Sequence, residues 1–228
     1  MKPPRLVWAS LLAIATAAAG LALWLALGGS RGPEQSQGVL ETLDVYGELP
    51  DFRLTERSGR AVTRADLAGK VWVANFIYTR CTDSCPLQTA ELARLQGELL
   101  SDGRVRLVSI TVDPEHDTPA VLRRYAERYR ADPGGWLFLT GDRAAIYRLA
   151  RDGFKLGVLD PDDAAGGLFR RLGPAPAFAT HGSKGLVMHS PRLVLVDGRA
   201  RVRAYHQPDD PGSRERLRAN LRALLAER

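Results

Sequence analysis

The 228-residue chain holds only two Cys, two Met and four His. Two Cys are too few for a disulfide-stapled scaffold and too few for a four-thiolate zinc or iron–sulfur site, so any thiol chemistry must run through a single pair. The sequence also lacks a run of Lys or Arg: 32 basic residues against 26 acidic ones give a net charge of +6, but they are scattered. With no basic run to follow phosphates and no interleaved aromatics to stack bases, no nucleic-acid partner is expected. A scattered basic face still suits an acidic partner or an anionic membrane surface. No repeat recurs at a fixed spacing. With 45% hydrophobic and 25% charged residues, 22 Gly and 14 Pro, the composition is that of one packed domain plus an appendage, and it excludes collagenous and low-complexity chains.

The appendage is N-terminal. Leu6 to Gly29 (LVWASLLAIATAAAGLALWLALGG) carries no charge over 24 residues. At about 1.5 Å per residue this gives roughly 36 Å of helix, enough to cross a hydrocarbon core of about 30 Å with some tilt. Lys2 and Arg5 precede it, so residues 1–30 read as a cytoplasmic stub and transmembrane anchor, with the rest outside the cytoplasm. That is the topology of a single-pass protein of the bacterial inner membrane facing the periplasm. A cleaved signal peptide with its small residues at Ala17-Ala18-Ala19 is the competing reading; apolar sequence continuing through Leu27 favours the anchor. Either way the domain meets an oxidising compartment, where a thiol pair needs a reason to persist. Residues 31–48 read as a tether and residues 49–228 as the domain.

Within the domain, strand-like and helix-like patterns alternate. Val71 to Tyr78 is a continuous apolar, β-branched and aromatic run, hence a buried strand. The Cys pair follows at once, then a helix with Pro86 in its first turn and Leu92, Leu95 and Leu99 on one face. A second buried strand spans Val105 to Val112, Thr118-Pro119 opens a second helix, Trp136 to Leu139 is a third strand, and Asp142 caps a short helix. Arg192 to Val196 and Ala200 to Tyr205 flank Asp197-Gly198, which predicts a hairpin with a type I′ turn. Leu217, Leu221, Leu224 and Leu225 stripe a closing helix. This order predicts an α/β thioredoxin-like fold, a central mixed sheet flanked by helices.

The chemistry centres on Cys81-Thr82-Asp83-Ser84-Cys85-Pro86, between a buried strand and a helix start. Open backbone N–H groups and the positive end of the helix dipole there are expected to lower a Cys pKa. Three intervening residues widen the pair beyond a dithiol oxidoreductase motif. Side chains at i and i+4 of a helix stand about 5–6 Å apart at Cβ, against roughly 3.8 Å in a relaxed disulfide. Closure remains open to the pair if Cys81 sits in the loop, and so does gripping one soft metal ion from two sides. Zinc would need two further ligands, whereas Cu(I) accepts two or three soft donors. Of the four His, His189, directly before a strand, is the candidate third donor. His116 reads as part of a helix-capping turn, and His181 and His206 as solvated loop residues. Met188 reads as core filler, with a weak thioether contact as the lesser alternative.

At these residues the sequence resembles the Sco/SenC copper chaperones of cytochrome oxidase assembly. The likeness runs through Leu49-Pro50-Asp51-Phe52, Asp66-Leu67-Ala68-Gly69-Lys70, Phe76-Ile77-Tyr78-Thr79-Arg80-Cys81, Cys85-Pro86, Val112-Asp113-Pro114-Glu115-His116-Asp117-Thr118-Pro119 and His189-Ser190. The resemblance implies a membrane-anchored thioredoxin-like domain binding one copper ion per chain through Cys81, Cys85 and His189. It also implies delivery of that copper to the dinuclear site of a cytochrome c oxidase subunit, with another copper carrier as a further partner, or reduction of the Cys of that site. Asp113 and Asp117 match the family's acidic element and are read as supporting the site rather than as ligands. Gly157 to Lys184 departs from the pattern. The rival reading is an extracytoplasmic thiol–disulfide oxidoreductase in which Cys81 attacks and Cys85 resolves, and the plainest is an interaction domain with a structural disulfide.

Overall fold

A computed structural model describes residues 40–81, 84–156, 158–159, 187–188 and 192–227. The hydrophobic run Leu6 to Gly29 lies outside them, and among the described residues no helix is long and apolar enough to cross a membrane.

Ten strands and four α-helices are described, in the order β1 (Gly47–Glu48), β2 (Arg53–Glu56), β3 (Ala61–Thr63), β4 (Val71–Ile77), α1 (Ser84–Leu99), β5 (Val105–Thr111), α2 (Pro119–Arg128), β6 (Trp136–Thr140), α3 (Arg143–Arg148), β7 (Val158–Leu159), β8 (Val187–Met188), β9 (Leu193–Val196), β10 (Arg201–His206) and α4 (Pro211–Ala226). Eight strands form one mixed sheet in the order β1-β10-β9-β4-β5-β6-β2-β3, parallel at β4–β5–β6 and antiparallel where β9 joins β4. β7 and β8 pair separately.

Every residue of β4 is buried because each face of the sheet carries its own core. Val71, Val73 and Ile77 pack with Leu92, Leu95 and Leu99 of α1, Leu122 and Tyr125 of α2, and Leu217, Leu221 and Leu224 of α4. Trp72, Ala74 and Phe76 face the other way, onto Ile146 and Tyr147 of α3 and onto Phe154, whose ring meets those of Trp72 and Phe76 edge to face. Period-two alternation of a strand apolar on both faces therefore builds two layers from one segment.

Three expectations are corrected. The packed unit begins at Leu40, inside the stretch read as a tether over 31–48. Its anchor is Glu41, only 4% exposed, whose carboxylate accepts from Ser213 Oγ at 2.5 Å and from Arg216 Nε, while Asn220 Nδ2 donates to the Glu41 carbonyl. The hairpin turn is not type I′: Gly198 has no positive φ, and the left-handed residue is Ala200 at φ 59. Ala200 N–H donates to Asp197 O, and Asp197 Oδ1 accepts from Arg199 N and Arg201 N, which makes a type I turn closed by a left-handed residue. Glycine is used at 198 for closeness: a Cβ there would stand 3.1 Å from the backbone of Gly69, whose N–H donates to Gly198 O.

The third correction is His206. It ends β10 at 1% exposure instead of lying in a solvated loop, with Nε2 3.3 Å from Asn220 Nδ2 and no partner for Nδ1 among the described residues. Burial pushes its pKa down to about 4, helped by Arg216 and opposed by Glu41. The folded domain thus holds His206 neutral while the unfolded chain protonates near the ordinary value of 6.5. The unfolded state binds the extra proton, so stability falls as pH drops from about 6.5 to about 4, by on the order of 3 kcal/mol when the window is fully crossed. Denaturant unfolding at about pH 7 and about pH 4.5 checks this; His206→Gln is expected to flatten much of the difference.

Candidate copper-thiol site

The C-terminal end of the parallel strands is where an open α/β sheet presents its loops, and the Cys pair lies there. Strand β4 ends at Ile77, Tyr78-Thr79-Arg80 turn the chain, and Cys81 N–H donates to Tyr78 O at 3.1 Å. Helix α1 then starts at Ser84, placing Cys85 in its first turn beside Pro86, which has no N–H to waste there. The two thiols form no disulfide and are buried, at 8% and 5% exposure. Cys85 N–H points at Cys81 Sγ across 3.5 Å, so one open N–H of the helix start is spent on the first sulfur.

The electrostatics at Cys85 differ from the expectation drawn from the helix dipole. Burial is the largest influence and pushes the Cys85 thiol well above its ordinary range; the Tyr78 backbone N–H works against it, while the Cys81 thiol and the Asp117 carboxylate add to it. Desolvation of the thiolate thus outweighs the first-turn dipole at this sulfur.

The acidic element beyond β5 acts on the loop that carries Cys81. Asp117, fully buried, accepts from Thr79 N at 3.0 Å and Thr111 Oγ1 at 2.6 Å through Oδ2, and from Thr79 Oγ1 at 2.5 Å through Oδ1. Asp113 Oδ2 takes a 2.6 Å ion pair from Arg80 Nη2, and Asp113 N–H donates to Thr111 Oγ1. Both acids thus grip the two residues immediately before Cys81. Thr79, Arg80 and Thr111 were not singled out in the sequence; Thr79 and Arg80 stand inside the motif that precedes Cys81. His116 is exposed in the turn before Thr118, which caps α2 by accepting from Val121 N.

His189 and His181 lie outside the described residues, as do the side chain of Met188 and most of Gly157 to Lys184. The strand after His189 is described: β9 runs antiparallel to β4 with Val194 opposite Ala74, so it starts at the end of β4 that leads to Cys81. Among the described residues no group of three His, Cys, Asp or Glu gathers to hold a metal, which leaves two sulfurs as the described donor set.

The SCO1/SenC family model matches residues 43–226. A SCO1 protein homolog of Bacillus subtilis is 37% identical over 117 residues, covering 50% of this chain and 61% of that protein, and a putative copper-binding protein of Stutzerimonas stutzeri is 34% identical over 45% of this chain and 50% of its own. The chain therefore spans about half to three fifths of the length of these relatives. Among solved structures, BsSco, described as a member of the Sco family of cytochrome c oxidase assembly proteins with a disulfide switch, superposes with a TM-score of 0.64 at 26% identity, over 82% of this chain and 99% of its own. Copper-bound ScoI of Bradyrhizobium japonicum gives a TM-score of 0.56 at 26% identity, over 78% and 99%. These structures share the thioredoxin-like α/β architecture expected from the order of elements. By the family match over 43–226, this chain is a member of the SCO1/SenC family.

Proposed function

We propose that the chain is a copper chaperone, anchored by its N-terminal hydrophobic run with the domain outside the cytoplasm, that carries one copper ion on Cys81, Cys85 and His189 and assists maturation of the dinuclear copper site of a cytochrome c oxidase. The observation that carries this reading is the pair of reduced, buried thiols at the strand-to-helix junction, one sulfur meeting the open N–H of the other residue. Two soft sulfurs in a dry site suit Cu(I), which is content with few soft ligands, and an added imidazole extends the set to Cu(II). The copper in the Bradyrhizobium japonicum relative and the oxidase-assembly role of BsSco's family support the cargo and its destination.

The ion is cargo, and the chain's residues act on it in simple steps. Asp117 and Asp113 hold the Thr79–Arg80 turn so that Cys81 is presented at a fixed height above the sheet. Binding Cu(I) releases the thiol protons, and release of the ion to a recipient returns them. Oxidation of the pair to a disulfide removes two electrons and two protons and abolishes the donor set. That switch makes thiol–disulfide exchange with the Cys of a partner the second reading, favoured by two reduced thiols in contact and by the disulfide switch described for BsSco.

His189 separates the two. In the chaperone reading His189→Ala is expected to weaken Cu(II) retention by at least about tenfold, since a site loses one of three ligands, while Cu(I) stays on the sulfurs more weakly. Metal counting and Cu(II) absorption of the soluble domain check it. Unchanged Cu(II) binding with unchanged thiol exchange would remove His189 from the site.

A further inference from the structure

One turn beyond Cys85, on the buried face of α1, a chain of hydroxyls ties this helix to α2. Thr89 Oγ1 donates to the Cys85 carbonyl at 2.8 Å, and Tyr125 Oη lies 2.9 Å from Thr89 Oγ1. A threonine hydroxyl has one proton. With that proton on the Cys85 carbonyl, Tyr125 must be the donor to Thr89, so the direction of the chain is fixed: Tyr125 to Thr89 to the backbone of Cys85. Thr89 is fully buried and Tyr125 is 4% exposed, which keeps water from substituting for either hydroxyl. The Tyr125 ring is itself fixed between Tyr129, centroid 4.9 Å away, and Phe138 at 6.2 Å.

A threonine that donates back to the carbonyl four residues earlier competes with the helix's own N–H for that carbonyl and so acts on the backbone of its turn. Here the carbonyl is that of Cys85, in the first turn of α1. Closing a disulfide requires the two Cβ atoms to stand at roughly 3.8 Å, so a hydrogen bond that fixes the Cys85 backbone in the arrangement of the open pair favours the dithiol.

We propose that Tyr125 is a positioning residue for Cys85: acting through Thr89, its hydroxyl holds the first turn of α1 in the spacing that keeps the pair open as a dithiol rather than closed as a disulfide. The proposal deepens the reading of Cys81 and Cys85 as a copper-binding, redox-active pair and rests on it.

The test compares wild type with Tyr125→Phe, which keeps the ring and removes only the hydroxyl. The dithiol–disulfide equilibrium is measured against glutathione, in which glutathione disulfide accepts the two electrons and two protons released as the Cys81–Cys85 bond forms. Tyr125→Phe is expected to raise the constant for disulfide formation about fivefold or more, the scale of one buried hydrogen bond, and to lower Cu(I) affinity in step. Thr89→Val is expected to reproduce the shift, the double variant to add little to either, and Thr89→Ser to restore wild-type values. These Thr89 variants decide the matter if Tyr125→Phe folds poorly. An equilibrium constant that is unchanged or lowered in Tyr125→Phe or Thr89→Val overturns the proposal, even with copper binding intact. A raised constant in a protein whose wild type binds no copper upholds it and sinks the copper reading alone.

Discussion

Asp117→Ala is expected to be the most damaging substitution near the site that leaves both sulfurs in place. Its carboxylate gathers Thr79 N–H, Thr79 Oγ1 and Thr111 Oγ1 in a position with no exposure to water. Hydrogen bonds to a charged acceptor contribute about 1.5–3 kcal/mol each, and donors left buried without an acceptor cost about 1–3 kcal/mol each, so a loss on the order of 4 kcal/mol is expected. That is a large share of the roughly 5–15 kcal/mol that stabilises a domain. The damage should not be confined to stability, because Thr79 lies two residues before Cys81 and its N–H and hydroxyl fix the turn. Asp117→Asn is the informative companion. One amide oxygen replaces two carboxylate oxygens, so its NH2 must face at least one of the three donors, and an intermediate loss in both stability and copper affinity is expected. Denaturant unfolding and Cu(I) competition on the same samples check the pair. Wild-type copper affinity in a destabilised Asp117→Ala would show that the acidic element serves the fold and not the site.

Copper affinity is expected to be steeply dependent on pH, more so than for an exposed thiol pair. Cys85 is pushed well above the ordinary thiol range by burial, so it stays protonated across the accessible pH range in the empty protein. Each thiolate made on binding must expel its proton, so Cu(I) affinity falls about tenfold per unit of acidification from Cys85 alone, without levelling off toward pH 8 or so. The sign follows from mass action: protons and metal compete for the same sulfur, and the metal gains as protons become scarce. Competition with a chelator of known Cu(I) affinity at about pH 8, 9 and 10 gives the slope. A logarithmic slope that stays at one or more above about pH 9, where ordinary thiols have ionised, supports a buried Cys85 as ligand, and a profile that levels off there contradicts it.

Much of this molecule is legible in its sequence because the strongest patterns are physical necessities. The run Val71 to Ile77, apolar at every position but Asn75, reads as a buried strand, and the structure gives it two cores. Thr118-Pro119 and Asp142 announce helix starts that the caps bear out, with Val121 N–H on Thr118 and Ala145 N–H on Asp142. The misreadings share one cause, which is tertiary context acting on short signals. Asp197-Gly198 promises a type I′ turn locally, but the approach of Gly69 decides what Gly198 is for. Glu41 sits in a polar, irregular stretch and nothing local shows that Ser213, Arg216 and Asn220 wait to receive it. His206 reads as a solvated loop residue until α4 and the Leu40–Glu41 segment cover it. At the site, the pair of sulfurs and the two acids were visible as a motif. The direction of the Cys85 shift was not, because the helix dipole is written in the sequence while the depth of burial is written in the packing.

The most direct measurement counts copper on the reduced soluble domain after loading with Cu(I) and gel filtration, in wild type and in the Cys81→Ser, Cys85→Ser double variant. About one ion per wild-type chain and none on the variant is the expected result, since the described donor set is two sulfurs and an alcohol is a poor ligand for a soft ion. Stoichiometric Cu(I) on the folded double variant would contradict the account at its centre.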